Sequence, residues 1–195
     1  MKRDETERTA YHHGDLRREL LLHAVELLDD RGIEGFSLRE VARRASVAPA
    51  APSHHFGNVT GLLTAVAADG FQRLVAEFET LLRKKRSPER HVVALCEAYV
   101  KHHRASPGVF SIMFRRELLD DGNETLNEFK PKSLQLLIDS VRNAIPDATP
   151  DKQVHVAKIL WATMHGLVTL RLDDSDELSS RVAFAARTIL AGAAR

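Results

Sequence analysis

Three adjacent histidine pairs, at 12–13, 54–55 and 102–103, are the first places to look for chemistry in this chain of 195 residues. Neutral imidazoles bind transition metals. Neighbouring residues on a helix point ~100° apart, so a pair alone does not converge on one ion. No metal site and no cofactor is expected. The single cysteine, Cys96, lies among apolar positions of helical spacing, which reads as packing rather than a reactive thiol. One cysteine excludes an internal disulfide and fits a reducing, cytoplasmic setting. The chain has no Gly-rich phosphate loop, no His-Glu-x-x-His and no nucleophile elbow, so no enzyme is expected.

Nucleic-acid chemistry is a better match, and it is concentrated between Ser37 and Thr60. Arg39, Arg43 and Arg44 stand off an apolar stripe and can supply mobile charge to phosphates, or be ordinary solvated charges. The amino end of the helix after Ser37 offers free N–H groups to phosphate. The next stretch, SVAPAAPSHHF, has two prolines and no Lys or Arg. Pro49 suits a first helical position, which has no N–H bond to lose. Pro52 at the fourth position omits one bond and stiffens the helix start. That presents Ala50, Ala51 and Ser53 to a groove: small apolar groups meet thymine methyls, and serine bonds several base edges. Readout then leans on shape and apolar contact. Of His54 and His55, one is expected to face solvent and the other to pack. Asn58 and Thr60 complete the candidate DNA-contact set.

Charge sets the strength of such binding. The formal net charge is +1. Residues 1–60 carry nine basic and ten acidic side chains, and residues 37–60 carry three and one. The field available to DNA is therefore modest and local.

The elements that position these residues are helical throughout, about nine in number, with 44% apolar residues to fill their cores. Residues 1–14 read as a polar arm. Asp15 can cap a first helix with Leu16, Leu20, Ala24, Leu27 and Leu28 on one face, and Gly32 can stop it. Ser37 and Glu40 form a capping-box pattern, with Phe36 and Val41 as its hydrophobic staple. A fourth helix from about Val59 to Arg86 would span roughly 40 Å. It ends in Arg83-Lys84-Lys85-Arg86, which complements the helix dipole better than it makes a second nucleic-acid patch. Ser87-Pro88, Ser106-Pro107 and Thr149-Pro150 each pair a hydroxyl cap with a first-position proline. Pro131 should kink or start another helix.

Residues 11–71, YHHGDLRRELLLHAVELLDDRGIEGFSLREVARRASVAPAAPSHHFGNVTGLLTAVAADGF, resemble the DNA-binding domain of the TetR family of transcriptional regulators. Phe-Ser-Leu-Arg-Glu-Val-Ala, the short turn, His55-Phe56 and Leu62-Leu63 recur in the family's order. The Ala-Pro before the aromatic position, with His165-Gly166 after Trp161, resembles a branch with a Trp-His-Gly-type C-terminal domain, although Met164 stands where that Trp would be. Ser53 replaces the family's usual Tyr, and Val59 its usual Lys.

The resemblance implies a homodimer binding a palindromic operator under the control of a small-molecule effector. Residues 15–60 would form the helix-turn-helix domain and 61–195 the ligand-binding and dimerisation domain. Phe78, Tyr99, His103, Phe110, Phe114, Trp161 and His165 are the ligand candidates, each also readable as plain core. Leu160, Met164, Leu167, Val168, Val182, Ala186, Ile189 and Leu190 suit a four-helix subunit interface, or burial within one subunit. A helical small-molecule-binding or adaptor protein with decayed DNA contacts is the alternative.

Overall fold

A computed structural model describes residues 4–170 and 177–193, with side chains from Leu16 onward. Nine α-helices and one short 3₁₀ turn, with no strand, make up the described residues. They are α1 (Asp4–Arg31), α2 (Leu38–Arg44), α3 (Ala51–Phe56), α4 (Val59–Leu82), α5 (Pro88–Ala105), α6 (Pro107–Met113), α7 (Glu124–Ala144), α8 (Pro150–Thr169) and α9 (Leu178–Ala193). The 3₁₀ turn covers Arg116–Leu118.

Local chemistry explains most boundaries. Gly32 takes φ 64°, and its N–H donates to the Leu28 carbonyl at 2.9 Å, closing α1. Ser37 Oγ accepts from the Glu40 N–H at 3.2 Å, and Thr149 Oγ from the Lys152 N–H at 3.3 Å. Several boundaries differ from expectation, among them the end of α4, which stops at Leu82, short of the basic run 83–86. α1 starts at Asp4, so Asp15 lies inside it and residues 4–14 belong to the helix; Glu5, Glu7 and Arg8 are good helix formers. α7 starts at Glu124, leaving Pro131 in its interior. At α6 the Ser106 hydroxyl does not cap its own helix. It donates to Asp29 Oδ2 of α1 at 2.5 Å, while the Gly108 N–H donates to Asp29 Oδ1 at 2.7 Å. A carboxylate from a distant helix thus takes over the cap.

The chain forms two compact units. The first runs to Gly70 and also takes in 106–126. Leu20, Ala24, Leu27, Leu28, Val41, Leu62, Leu63 and Val66 are buried in it, as are Val109, Phe110, Ile112 and Met113. Two glycines mark where α6 presses in. A Cβ on Gly108 would collide with the Leu28 carbonyl group, and one on Gly70 would lie 2.7 Å from Met113 Sδ. Further along, the Asp120 N–H donates to the buried Thr64 hydroxyl at 2.9 Å. The expected split at residue 60 is therefore too early and too simple. Phe110 and Phe114, expected in a ligand domain, belong to this first unit, where their tilted rings meet at 5.0 Å between centroids.

The second unit comprises residues 71–105 and 127 onward. Here α5 packs on α8 and α9, which also pack on each other. Leu160, Met164, Val168, Val182, Ala186 and Leu190, expected at a subunit interface, are buried in this packing. Of that set only Leu167 and Ile189 are half-buried. This matches the second reading offered for these positions, burial within one subunit: the most apolar stripe of each helix goes to its own core. The outward stripes carry Ile159, Ala162 and Leu170 on or just after α8, and Phe184, Thr188 and Ala191 on α9. Phe184 is 71% exposed.

Candidate functional site

The turn between α2 and α3 is built on a backbone exception. Ser46 takes φ 55°, a left-handed conformation favoured by glycine. It is held there because its N–H donates to the Arg43 carbonyl at 3.2 Å and the Val47 N–H to Ala42 at 3.0 Å. α3 then starts at Ala51, with Ala50 in cap position and no side-chain bond to it. The Ala51 N–H donates to the Ala48 carbonyl at 2.9 Å. Pro52 is thus the second residue of the helix, not the fourth, and deprives the helix of no bond; Pro49 sits in the preceding turn. Pro52 is also buried, which pins α3 to the unit.

Its opposite side is open. Ala48, Pro49, Ala50, Ser53 and His54 are exposed, whereas Ala51 is half-buried. The His54 and His55 rings stack at 5.5 Å, His54 outward and His55 half-buried. Arg17 of α1 lies over the Phe56 ring at 4.8 Å, a cation–π contact at the end of α3. Asn58 Oδ1 accepts from the Gly61 N–H at 2.8 Å, so this side chain caps α4. Thr60 and Val59 are exposed nearby, Val59 by 41%.

The arginines are less mobile than expected. Arg43 grips the Glu40 carboxylate through Nε at 2.8 Å and Nη2 at 2.7 Å. Arg44 donates to Asp30 at 2.8 Å and lies 3.8 Å from Glu40, with its side chain only 16% exposed. Arg31 approaches Glu40 to 3.5 Å. The Arg43 hydrogen bonds, backed by the charges of Arg43, Arg31 and Arg44, bring the Glu40 carboxyl down to about 2. The same bonds raise the Arg43 guanidinium. Arg39 is exposed and makes no ion pair among the described residues. Sequence spacing reveals the three arginines but not the carboxylates that hold two of them, Glu40 and, from α1, Asp30.

In the second unit, Phe78, Tyr99 and Trp161 come together around a small cavity of about 10 Å³, with Leu95, Cys96, Leu137 and Met164 completing its wall. Tyr99 and His165 share a 2.9 Å hydrogen bond between the hydroxyl and Nδ1. The Trp161 ring meets the Tyr99 ring at 4.9 Å between centroids, tilted by 57°. Burial pushes the Tyr99 hydroxyl up and His165 down, so both stay neutral. Cys96 is buried, and desolvation, with Glu97 adding to it, lifts its thiol to about 12. His103 is half-buried on α5 and does not line this cavity. Its neighbour His102 is pushed down to about 4 by burial and by Arg73. Leu95 and Leu137 read as core positions only, because leucine in a helix carries no sign of a pocket. Nor does any sequence pattern signal the open cleft of about 400 Å³ between α4, α5 and α9, edged by Glu77, Arg86, Glu97, Lys101 and Arg104.

A short helix pinned behind a tight turn, with an uncharged outer face and arginines alongside, defines a DNA-binding transcriptional regulator of the helix-turn-helix class. Comparison with known proteins agrees. Residues 20–66 match the bacterial regulatory proteins of the tetR family, and residues 92–192 match the tetracyclin repressor-like C-terminal domain. A solved structure of a protein with unknown function from Rhodococcus sp. RHA1 is 33% identical, with TM-score 0.80, over 95% of this chain and 98% of that one. The TetR family regulator PfmR from Thermus thermophilus is 19% identical, with TM-score 0.70, over 88% of this chain and 97% of that one. The uncharacterized HTH-type regulator YobS of Bacillus subtilis (strain 168) is 18% identical over 87% of each chain. The chain belongs to the TetR family, and so to transcription factors rather than enzymes. No described helix is long and apolar enough to cross a membrane.

Proposed function

We propose that the protein is a ligand-responsive homodimeric repressor that reads a palindromic operator and acts in the cytoplasm. The observation that carries this reading is the outer face of α3, where Ala48, Pro49, Ala50, Ser53 and His54 are exposed on a helix anchored by buried Pro52. Such a face reads thymine methyls and groove shape, with Ser53 as its versatile hydrogen-bonding group. Arg39 and the outward edge of Arg43 hold the strands, with Ser37 and Thr60 beside them. The second copy is received on the outward stripes of α8 and α9, around Ile159 and Phe184, since the inward stripes are occupied. A twofold pair then offers two reading helices to half-sites ~34–36 Å apart. α4 begins in the reading unit at Val59 and carries Phe78 in the cavity wall, so an effector that displaces Phe78 acts on the helix behind the reader. A coupling of ~1–3 kcal/mol is ordinary for such a switch.

The deciding experiment is selection of fragments of the source genome on the full chain, with and without candidate metabolites. Enrichment of one palindrome, lost on adding a metabolite, is expected. No enrichment under any condition would overturn the reading in favour of a small-molecule-binding or adaptor protein, the outcome suggested by Ser53 and Val59.

A further inference from the structure

Resting on the ligand-responsive reading above for its regulatory meaning, we infer that the open cleft between α4, α5 and α9 binds a small amphipathic organic anion. The cleft measures about 400 Å³, the size of a small-molecule site. The cavity beside Trp161, at about 10 Å³, holds one water at most. All residues that line the cleft belong to the second unit, where α5 packs on α9. From Ala94 to Arg104 its α5 wall runs roughly 15 Å, which suits an elongated molecule.

The charges around it favour an anion. Arg86, Lys101 and Arg104 border the cleft, against Glu77 and Glu97. Among the described residues, none of these five side chains is in an ion pair or a hydrogen bond. Arg43 and Arg44 of the reading unit, by contrast, are already held by carboxylates. An anion entering the cleft therefore meets cations that no partner has to release. Lys101 follows Glu97 by four residues and Arg104 follows Lys101 by three, so these side chains share one face of α5. Arginine forks match a carboxylate with two parallel hydrogen bonds. An ammonium would find two acids among three like charges.

The floor between these charges is apolar. Ala94 and Ala98 of α5 and Val182 of α9 are buried there, and Leu81 of α4 is half-buried beside them. Covering them with hydrocarbon releases water, which an inorganic anion cannot do. The cleft also stays open in a dimer joined on the Phe184 stripe, because Ser179 at its edge points about 140° around α9 from Phe184. α4 supplies Glu77 and Leu81 and begins at Val59, so an occupant touches the helix that leads from the reader.

Equilibrium dialysis of the full chain tests one body with three heads, phenylbutyrate, phenylbutylammonium and phenylbutanol, and inorganic phosphate as a head without a body. Phenylbutyrate should bind saturably, and the ammonium and the phosphate at least about tenfold more weakly. Lys101→Gln with Arg104→Gln should weaken phenylbutyrate about tenfold, and Glu97→Gln should tighten it about threefold. These three positions are exposed, so the variants should fold. Arg142→Gln, on α7 beside Asp139, should leave phenylbutyrate binding unchanged. Lack of saturable phenylbutyrate binding overturns the inference, and so does equal or tighter binding of the ammonium or the phosphate. So does a double variant that binds phenylbutyrate as wild type does, since the cations would then serve only their helix ends. DNA binding is scored separately by fragment selection. Failure there leaves the dialysis result standing, and failed dialysis with a recovered operator overturns the ligand class alone.

Discussion

The two units handle polar groups in opposite ways. The reading unit keeps its charges at the surface and pairs them there: Glu40 with Arg43, Arg31 and Arg44, and Arg44 with Asp30. The second unit sets a neutral Tyr99–His165 hydrogen bond beside Trp161 against an apolar wall. Surface pairs in high dielectric are worth little to stability, and salt weakens them further. They can be exchanged for phosphate at little cost. Neutral groups away from water are held tightly and discriminate between ligands. One unit thus pairs charges at its surface, and the other fixes neutral groups within its core.

The largest expected effect tests the stiffness of the second unit. Phe78→Ala removes a fully buried ring and should cost ~3–5 kcal/mol in urea denaturation. A loss under ~1 kcal/mol would mean that the cavity wall is already loose, which would erase the contrast. Next comes Asp29→Ala in the reading unit. It leaves the Gly108 N–H and the Ser106 hydroxyl without their carboxylate, and should cost ~1–2 kcal/mol. Thermal melting that matches wild type would show that Asp29 is dispensable to α6.

Ser46→Gly works the other way. Relief of a left-handed φ should add ~1 kcal/mol and raise the melting midpoint by a few degrees. A lower midpoint would show that the serine side chain matters more than its backbone.

The smallest changes in stability concern Glu40, and they sharpen the comparison through DNA instead. Glu40→Gln frees Arg43, while Arg44 keeps Asp30, so binding should tighten severalfold and the salt slope should steepen by about one phosphate contact. An unchanged slope in a gel-shift series would show that Arg43 never meets the backbone. The pH dependence follows the sign of the shift. Glu40 lies lower in the folded chain than in the unfolded one, so its contribution is present above the ordinary carboxylate range. That contribution fades as pH falls from about 4.5 to about 2. Glu40→Gln should remove that part of the acid titration, as read by circular dichroism.

Legibility in the sequence varies with the range of the interaction. The stop at Gly32, the Ser37 and Thr149 caps and the apolar stripes are local, and local spacing carries them. The left-handed Ser46 is invisible there because serine does not advertise a positive φ. Spacing puts Pro52 two positions too late because the chain turns through Ala48–Ala50 before α3 begins. The interface residues mislead because a helix with one apolar stripe does not say whose core that stripe fills. Asp29 and Ser106 lie 77 residues apart, and nothing in their neighbourhoods links them. The same is true of Tyr99 and His165, each a candidate singly but separated by 66 residues.

Because residues 106–126 complete the first unit, the chain must visit that unit twice. A fragment cut off after Gly70 would leave Leu28 without Gly108 against it, and Thr64 without Asp120. Swapping reading heads between relatives by a single crossover would create the same mismatch. Working chimeras of this protein therefore require two junction pairs, one near residue 70 and one bracketing α6 and the turn after it, exchanged together.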